Sequence, residues 1–439
     1  MYIYQELAAR AAAGKPVRVG LIGAGKFGSM FLSQVPTTPG LEVAVIADLS
    51  PDGARRACQE VGWPEELIAK TRFTDDALAM MQAGGVDVVV EATGNPVVGI
   101  RHAREAIRNG LHIVMVNVEA DVLAGPLLAE EARRAGVVYS MAYGDQPALT
   151  CELVEWARAT GFDVVAAGKG TKYLPAYHAS TPDTVWDYYG LTREQAAAAG
   201  MNSQMFNSFL DGTKSALEMA AIANATGLTP PSDGLGFPAA GMDDLAHILR
   251  PASEGGQLEG KGMVEVVSSL ERDGRPVFKD LRWGVYVVIE APNDYAAACF
   301  RQYGMNTDAT GRYSAMYKPF HLIGLELNLS ILSAALLNKP TGATQGFRGD
   351  VVATAKRGLK AGEVLDGEGG FTVWGKLLPA EKSLHIGGLP IGLAHKVKLK
   401  ADIPAGRPIR WKDVEADETL DAVKFRREME RQVSARAAA

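Results

Sequence analysis

The stretch Val17-Arg18-Val19-Gly20-Leu21-Ile22-Gly23-Ala24-Gly25-Lys26-Phe27-Gly28 constrains this chain more than any other. An apolar run fit for one buried strand meets three glycines at G-x-G-x-x-G spacing. Residues that can open a helix follow, Ser29-Met30-Phe31-Leu32. Each glycine has its own task in such a strand–turn–helix. Gly23 permits the tight turn, Gly25 lets the backbone approach a pyrophosphate, and Gly28 lets the helix pack closely on the strand. The helix N-terminus then offers N–H groups and a positive dipole end to phosphate. A second apolar run, Glu42-Val43-Ala44-Val45-Ile46-Ala47, ends in Asp48, 20 residues beyond Gly28, where a ribose hydroxyl finds its acceptor. The expected cofactor contacts are therefore Gly23, Gly25, Lys26, Phe27, Gly28 and Asp48. Asp48 would repel a 2′-phosphate and favours NAD, whereas Arg55 and Arg56 nearby soften that exclusion, so both NAD and NADP stay open.

The following segments alternate strand and helix. Val86–Ala92 ends at Thr93-Gly94-Asn95-Pro96, and a helix over 98–109 stops at Gly110. The strand His112–Val116 ends at Asn117-Val118-Glu119, and Val137–Ala142 ends near Asp145. This alternation predicts an α/β Rossmann domain with a doubly wound parallel sheet over 1–150. Ligands of such sheets sit beyond the carboxyl ends of the strands, which makes Thr93, Gly94, Asn95, Asn117 and Glu119 candidates for the nicotinamide side. Ahead of the first strand, Tyr4, Leu7, Ala8 and Ala11 recur at helical spacing.

Composition excludes several classes. At 47% hydrophobic and 22% charged residues over 439 positions, the chain reads as globular, with room for two or three domains. A formal net charge of −6 argues against a general nucleic-acid surface. Cys58, Cys151 and Cys299 lie far apart and suggest neither a disulfide framework nor a zinc knuckle. No run approaches the length of a membrane span, and the N-terminus lacks a secretory pattern. A cytoplasmic location is expected.

From 151 to 321 the pattern changes. The strand Asp163–Gly168 runs into a turn, Lys169-Gly170-Thr171-Lys172-Tyr173-Leu174-Pro175, whose lysines suit an anionic substrate. Read as one helix, Asn207, Asp211, Lys214 and Glu218 fall at i, i+4, i+7 and i+11, within an arc of about 60°. Their neighbours are apolar or small, so the stripe reads as a buried polar site, with Lys214 and Glu218 able to pair. Strands over 262–270 and 283–290 predict a mixed or open sheet. Lys318 and His321 stand at the entrance to a long apolar helix, 322–337, that returns to the first domain. Beyond a linker at 341–346, two similar phrases occur, Ala355–Leu365 and Leu399–Ile409. Residues after Asp413 read as an exposed helix or frayed tail.

The first two domains resemble homoserine dehydrogenases. The turn at Asn117-Val118-Glu119 stands where that family has a lysine, and the helix around Asp211-Gly212-Thr213-Lys214 matches its substrate helix with Lys214 and Glu218 inverted in charge. The phrases after 346 resemble SAF-like β-clips. Over nearly its full length the chain is similar to bacterial 1-deoxy-D-xylulose-5-phosphate reductoisomerase-like proteins, on Met30–Gly40 and Asp211–Lys214. That resemblance implies an α+β substrate and dimerisation domain over 151–321, a Rossmann domain completed by 322–345, and an SAF-like domain with a tail over 346–439. It implies NADPH-dependent rearrangement and reduction of 1-deoxy-D-xylulose 5-phosphate to 2-C-methyl-D-erythritol 4-phosphate, in isoprenoid precursor synthesis, by a homodimer. It also implies NADP(H), with NAD open, and Mg2+ or Mn2+ on Asp145 and Glu218. Lys169 and Lys172 would hold the phosphate, and Lys214, Glu218, Asp211, His321 and Lys318 would carry the chemistry. The alternatives are an NAD(P)-dependent oxidoreductase acting on another polyol, sugar phosphate or hydroxy acid, and a ligand sensor without chemistry.

Overall fold

The computed structural model describes residues 3–438. They divide into two compact units, one running to Glu152 with His321–Gln345 added, the other comprising Leu153–Phe320 and the residues from Gly346 onward.

Among the described residues of the first unit, six strands form one parallel sheet: β1 (Val17–Ile22), β2 (Leu41–Ala47), β3 (Arg72–Thr74), β4 (Val88–Glu91), β5 (His112–Met115) and β6 (Tyr139–Met141). Their order is β3-β2-β1-β4-β5-β6, so the direction of winding reverses between β1 and β4. That is a Rossmann sheet with its ligand crevice at the reversal point. Continuous apolar runs such as β4, buried at every residue, belong in a sheet covered on both faces. The first helix, Ile3–Ala12, buries Ile3 and Leu7, while Tyr4 is 77% exposed. Of the expected stripe Tyr4, Leu7, Ala8 and Ala11, Leu7 is the buried residue, and Ile3 takes the place of Tyr4 beside it.

The expected helix over 322–337 begins only at Asn328 and changes to a π-helical turn at Ser333–Leu337. Gly324 explains the late start: its φ of +77° is left-handed, and an added Cβ would lie 2.7 Å from the Met30 Cβ. Leu327, Ile331, Leu332 and Ala334 from this segment join the core beneath β1 and β2.

In the second unit β7 (Asp163–Thr171), β8 (Met263–Ser268), β9 (Val285–Glu290) and β10 (Tyr313–Lys318) form a mixed sheet in the order β10-β9-β7-β8. β7 pairs parallel with β8 and antiparallel with β9. It does not end at Gly168. Lys169 lies in register with Val266 and Val285, so this lysine is a strand residue and not part of a turn. After Gly346, β11 (Gly349–Ala355) pairs with β13 (Val373–Pro379), and β12 (Val364–Asp366) with β14 (His395–Lys398). The two similar phrases pair with each other, because Leu359 and Ile403 exchange both backbone hydrogen bonds, at 2.8 and 2.9 Å. The charged C-terminal residues are not a frayed tail. Their helix, Asp421–Ala438, buries Arg426 completely, between Asp350 (2.7 Å) and Glu430 (2.9 Å).

Candidate functional site

In the first unit the three glycines divide the work by geometry. Gly23 has φ +93°, and a Cβ there would meet the Ala92 carbonyl at 2.8 Å. A Cβ on Gly28 would lie 2.5 Å from the Gly23 carbonyl, so the glycine lets the helix sit on the turn. A Cβ on Gly25 would meet nothing within 4 Å. The space over Gly25 is therefore open, at the start of the Lys26–Gln34 helix, which has no side-chain cap. Uncapped N–H groups beside an open glycine fit a diphosphate. Lys26 and Phe27 are the first helical residues. Asp48 follows β2, and its carboxylate accepts the Ala24 N–H at 2.8 Å and the Ser50 N–H at 2.9 Å. These bonds fix a negative charge beside the glycine turn. The Arg55 guanidinium lies 4.4 Å from the centre of the Phe73 ring.

At the ends of β4 and β5 the polar residues knit the loops together. Asn95 caps the Pro96–Arg108 helix by accepting the Val97 and Val98 N–H groups. Asn117 caps the Val118–Ala135 helix through Ala120 N–H (3.0 Å) and donates to the Asn95 carbonyl (2.9 Å). Glu119 lies in the first turn of that helix, and Gly94 has φ +67°. Thr93 donates to Glu91 (2.5 Å), whose buried carboxylate also lies 3.2 Å from His102 Nδ1. The sequence reading missed Glu91 and His102, since an acid ending an apolar strand carries no pattern of its own.

In the second unit the polar stripe is not one helical face. Gly212, at φ +89°, separates the Ser203–Leu210 helix from the Thr213–Thr226 helix, so Asn207 and Asp211 do not share a face with Lys214 and Glu218. Asn207 donates to the Ser180 carbonyl (3.1 Å) and the Gly369 carbonyl (2.8 Å). Asp211 accepts the Thr213 N–H and pairs with Lys356 at 2.8 Å, both side chains almost wholly buried. Burial pushes the Asp211 carboxyl above its ordinary range, and the Lys356 ammonium opposes that shift. Glu218 pairs with Lys169 of β7, in place of the expected Lys214–Glu218 pair. Lys169 and Glu218 are 7% and 5% exposed at their side chains. Lys214 is half-buried.

The two turn lysines do not form a cationic cradle. Lys169 is neutralised by Glu218, and Lys172 donates to the Tyr188 carbonyl, 5.6 Å from the centre of the Tyr189 ring. Burial and the nearby Arg282 lower the Lys172 pKa. Lys318 ends β10 in the second unit, and His321 opens the segment that belongs to the first.

A divalent cation does not fit the expected donors. Glu218 is committed to Lys169, and Asp145 accepts the Gln146 N–H at 2.8 Å in the first unit. Among the described residues no three His, Cys, Asp or Glu side chains cluster as metal ligands. Among the same residues no helix is long and apolar enough to cross a membrane.

Two family models match the chain. Residues 23–141 match the homoserine dehydrogenase NAD-binding domain, and residues 144–327 match the catalytic domain of oxidoreductase DRL. The chain thus carries an NAD(P)-binding domain of the homoserine dehydrogenase type followed by an oxidoreductase catalytic domain. No curated protein matches it. Among solved structures it is similar to a probable dehydrogenase from Thermotoga maritima, at 12% identity and TM-score 0.39, over 75% of this chain and 91% of that one. KijD10, a 3-ketoreductase from Actinomadura kijaniata in complex with NADP, matches at 19% identity and TM-score 0.26, over 36% of this chain and 50% of that one. Biliverdin reductase from Synechocystis matches at 17% identity and TM-score 0.27, over 36% and 48%. The chain thus spans about half the length of these last two proteins. The fold assignment rests on the strand order itself.

Proposed function

We propose that the chain is an NAD(P)-dependent oxidoreductase that interconverts a carbonyl and an alcohol on a small polar substrate such as a polyol, sugar phosphate or hydroxy acid. The observation that carries this reading is the open space over Gly25 at an uncapped helix start. When bound, the nicotinamide supplies or accepts the hydride. The charge fixed on Asp48 would favour a free ribose hydroxyl over a 2′-phosphate, so we read NAD(H) as the preferred form. In the catalytic domain, Lys169 is the candidate proton donor to the developing alkoxide. Glu218 pairs with it, and both side chains are buried. The test is a titration of NADH and NADPH by fluorescence, then nicotinamide oxidation with a panel of aldehydes, ketones and keto acids. Binding without turnover of any panel member would favour a sensor.

A narrower second reading, implied by the sequence resemblance alone, is reductoisomerisation of 1-deoxy-D-xylulose 5-phosphate; the match of residues 144–327 to the oxidoreductase DRL catalytic domain supports the oxidoreductase class. Its expected metal pair, Asp145 and Glu218, does not fit a divalent cation. Isotopic carbon tracing of the product, with and without Mg2+ or Mn2+, separates rearrangement from simple reduction. We further read the residues after 346 as an SAF-like module, supported by the mutual pairing of Leu359 and Ile403. A homodimer through the mixed sheet is supported by the half-exposed Met316 and Tyr317 of edge strand β10, and sedimentation tests it.

A further inference from the structure

The second unit contains a cavity of about 200 Å³ that the proposed chemistry does not use. Three aromatic rings line it. Trp374 and His178 stack at 3.8 Å, and Phe237 meets His178 edge-on at 6.1 Å. Gly212 and Ala216 line it too, at the start of the Thr213–Thr226 helix, whose first N–H is taken by the Asp211 carboxylate. Lys376 and Asp233 complete the polar lining. Lys376 is mostly buried, while its partner Asp233 (2.9 Å), which also meets Lys382 (3.3 Å), is exposed, so a ligand carboxylate can take the place of Asp233 on the Lys376 ammonium.

His178 contributes no charge. Its Nδ1 faces the Asp211 carbonyl at 2.7 Å, and a carbonyl only accepts, so Nδ1 carries the hydrogen. Nε2 is then left to accept from the Tyr173 hydroxyl at 3.0 Å. Burial pushes the His178 pKa down to about 4, and the cations Lys376 and Lys356 add to that effect. Phe237 is held in a left-handed conformation, φ +48°. Its N–H and that of Gly236 both donate to the buried Glu265 carboxylate, at 3.3 and 2.9 Å. Such strain costs about 1–3 kcal/mol and concentrates at functional sites. Phe237 in turn stacks on Tyr173 at 3.9 Å, so the ring wall is braced from behind.

Ring walls select a flat body, the Lys376 ammonium selects an anion, and the volume, below the ~300 Å³ of ordinary ligand pockets, admits a single ring. We propose that this cavity is a binding site for a small flat carboxylate, seated against Trp374, His178 and Phe237 with its charge toward Lys376. Trp374 and Lys376 lie outside the catalytic-domain match at 144–327, so the C-terminal segment supplies one ring wall and the cation. The proposal does not depend on the oxidoreductase reading, because binding can be measured without turnover.

The test uses the full chain with benzoate as probe and benzamide as its neutral counterpart, read by calorimetry and tryptophan fluorescence. Benzoate is expected to saturate with Kd of about 1 mM, in keeping with its few atoms. Benzamide is expected to bind at least about tenfold more weakly, and Lys376→Met to remove that preference. Ala216→Leu fills the cavity and is expected to abolish binding. If that buried substitution unfolds the chain, the half-buried Lys376→Met carries the test alone. If turnover is found, competition by benzoate against the carbonyl substrate assigns the site to substrate, and a change in rate without competition assigns it to an effector; either supports the site. No saturable binding by the folded wild type, or benzoate binding unchanged in Lys376→Met, overturns it.

Discussion

Replacing Lys169 with methionine separates a catalytic pair from a structural one. Lys169 and Glu218 are 7% and 5% exposed at their side chains, so the substitution leaves a carboxylate buried without its counter-charge. Orphaning one member of a buried pair costs about 3–5 kcal/mol, a large share of the ~5–15 kcal/mol that holds a folded protein together. The double variant Lys169→Met/Glu218→Leu removes both charges and is expected to return to within about 1–2 kcal/mol of wild type, since apolar replacement of a whole pair is often neutral. Urea unfolding of the four proteins closes the cycle, and nicotinamide-linked turnover is measured on each. The double variant should regain stability and remain inactive. Recovery of both would reduce the pair to architecture. A single-variant cost below about 1 kcal/mol would contradict the buried pair itself.

Three further outcomes follow from buried groups and close contacts. Burial pushes Glu265 from an ordinary 4.5 up to about 7, worth roughly 3 kcal/mol, and the sign is that of a proton held by the fold. That stability is complete below about pH 4.5 and lost as pH rises through about 7, so unfolding at about pH 4 and pH 8 should show wild type losing roughly 3 kcal/mol relative to Glu265→Gln. Lys356→Met orphans the buried Asp211 and should cost about 3–5 kcal/mol in the same assay, with Asp211→Asn added to it restoring part of the loss. Gly28→Ala drives a Cβ to 2.5 Å from the Gly23 carbonyl and should lower stability by about 1–3 kcal/mol, read as a shifted urea midpoint.

The parallel sheet was legible because its strands carry runs of apolar residues bounded by glycine and polar turns, as in Val17–Ile22 and Val88–Glu91. The three-residue β3 was not, since Arg72 and its neighbours show neither alternation nor an apolar run. The stripe from Asn207 to Glu218 looked continuous because spacing alone does not register that Gly212 has gone left-handed. Pairing across the chain was invisible for the same reason. Lys356 meets Asp211, Lys169 meets Glu218 and Arg426 meets Asp350 only after folding, and each lysine or arginine taken alone resembles a solvated charge. His178 was overlooked because a lone histidine in a loop has no pattern. Its significance comes from Asp211, Tyr173 and Trp374 closing around it.

The most direct test of the central claim is the affinity of Gly25→Ala for NADH. Gly25 has φ −70°, which alanine adopts without strain, and its Cβ would meet no protein atom within 4 Å. Unfolding free energy should therefore stay within about 1 kcal/mol of wild type. If the space over Gly25 is kept for a diphosphate, the added methyl should weaken NADH binding by at least about tenfold, or ~1.4 kcal/mol. A wild type that binds NADH and a Gly25→Ala variant that binds it equally well would contradict the cradle, as would a folded wild type that binds neither NADH nor NADPH.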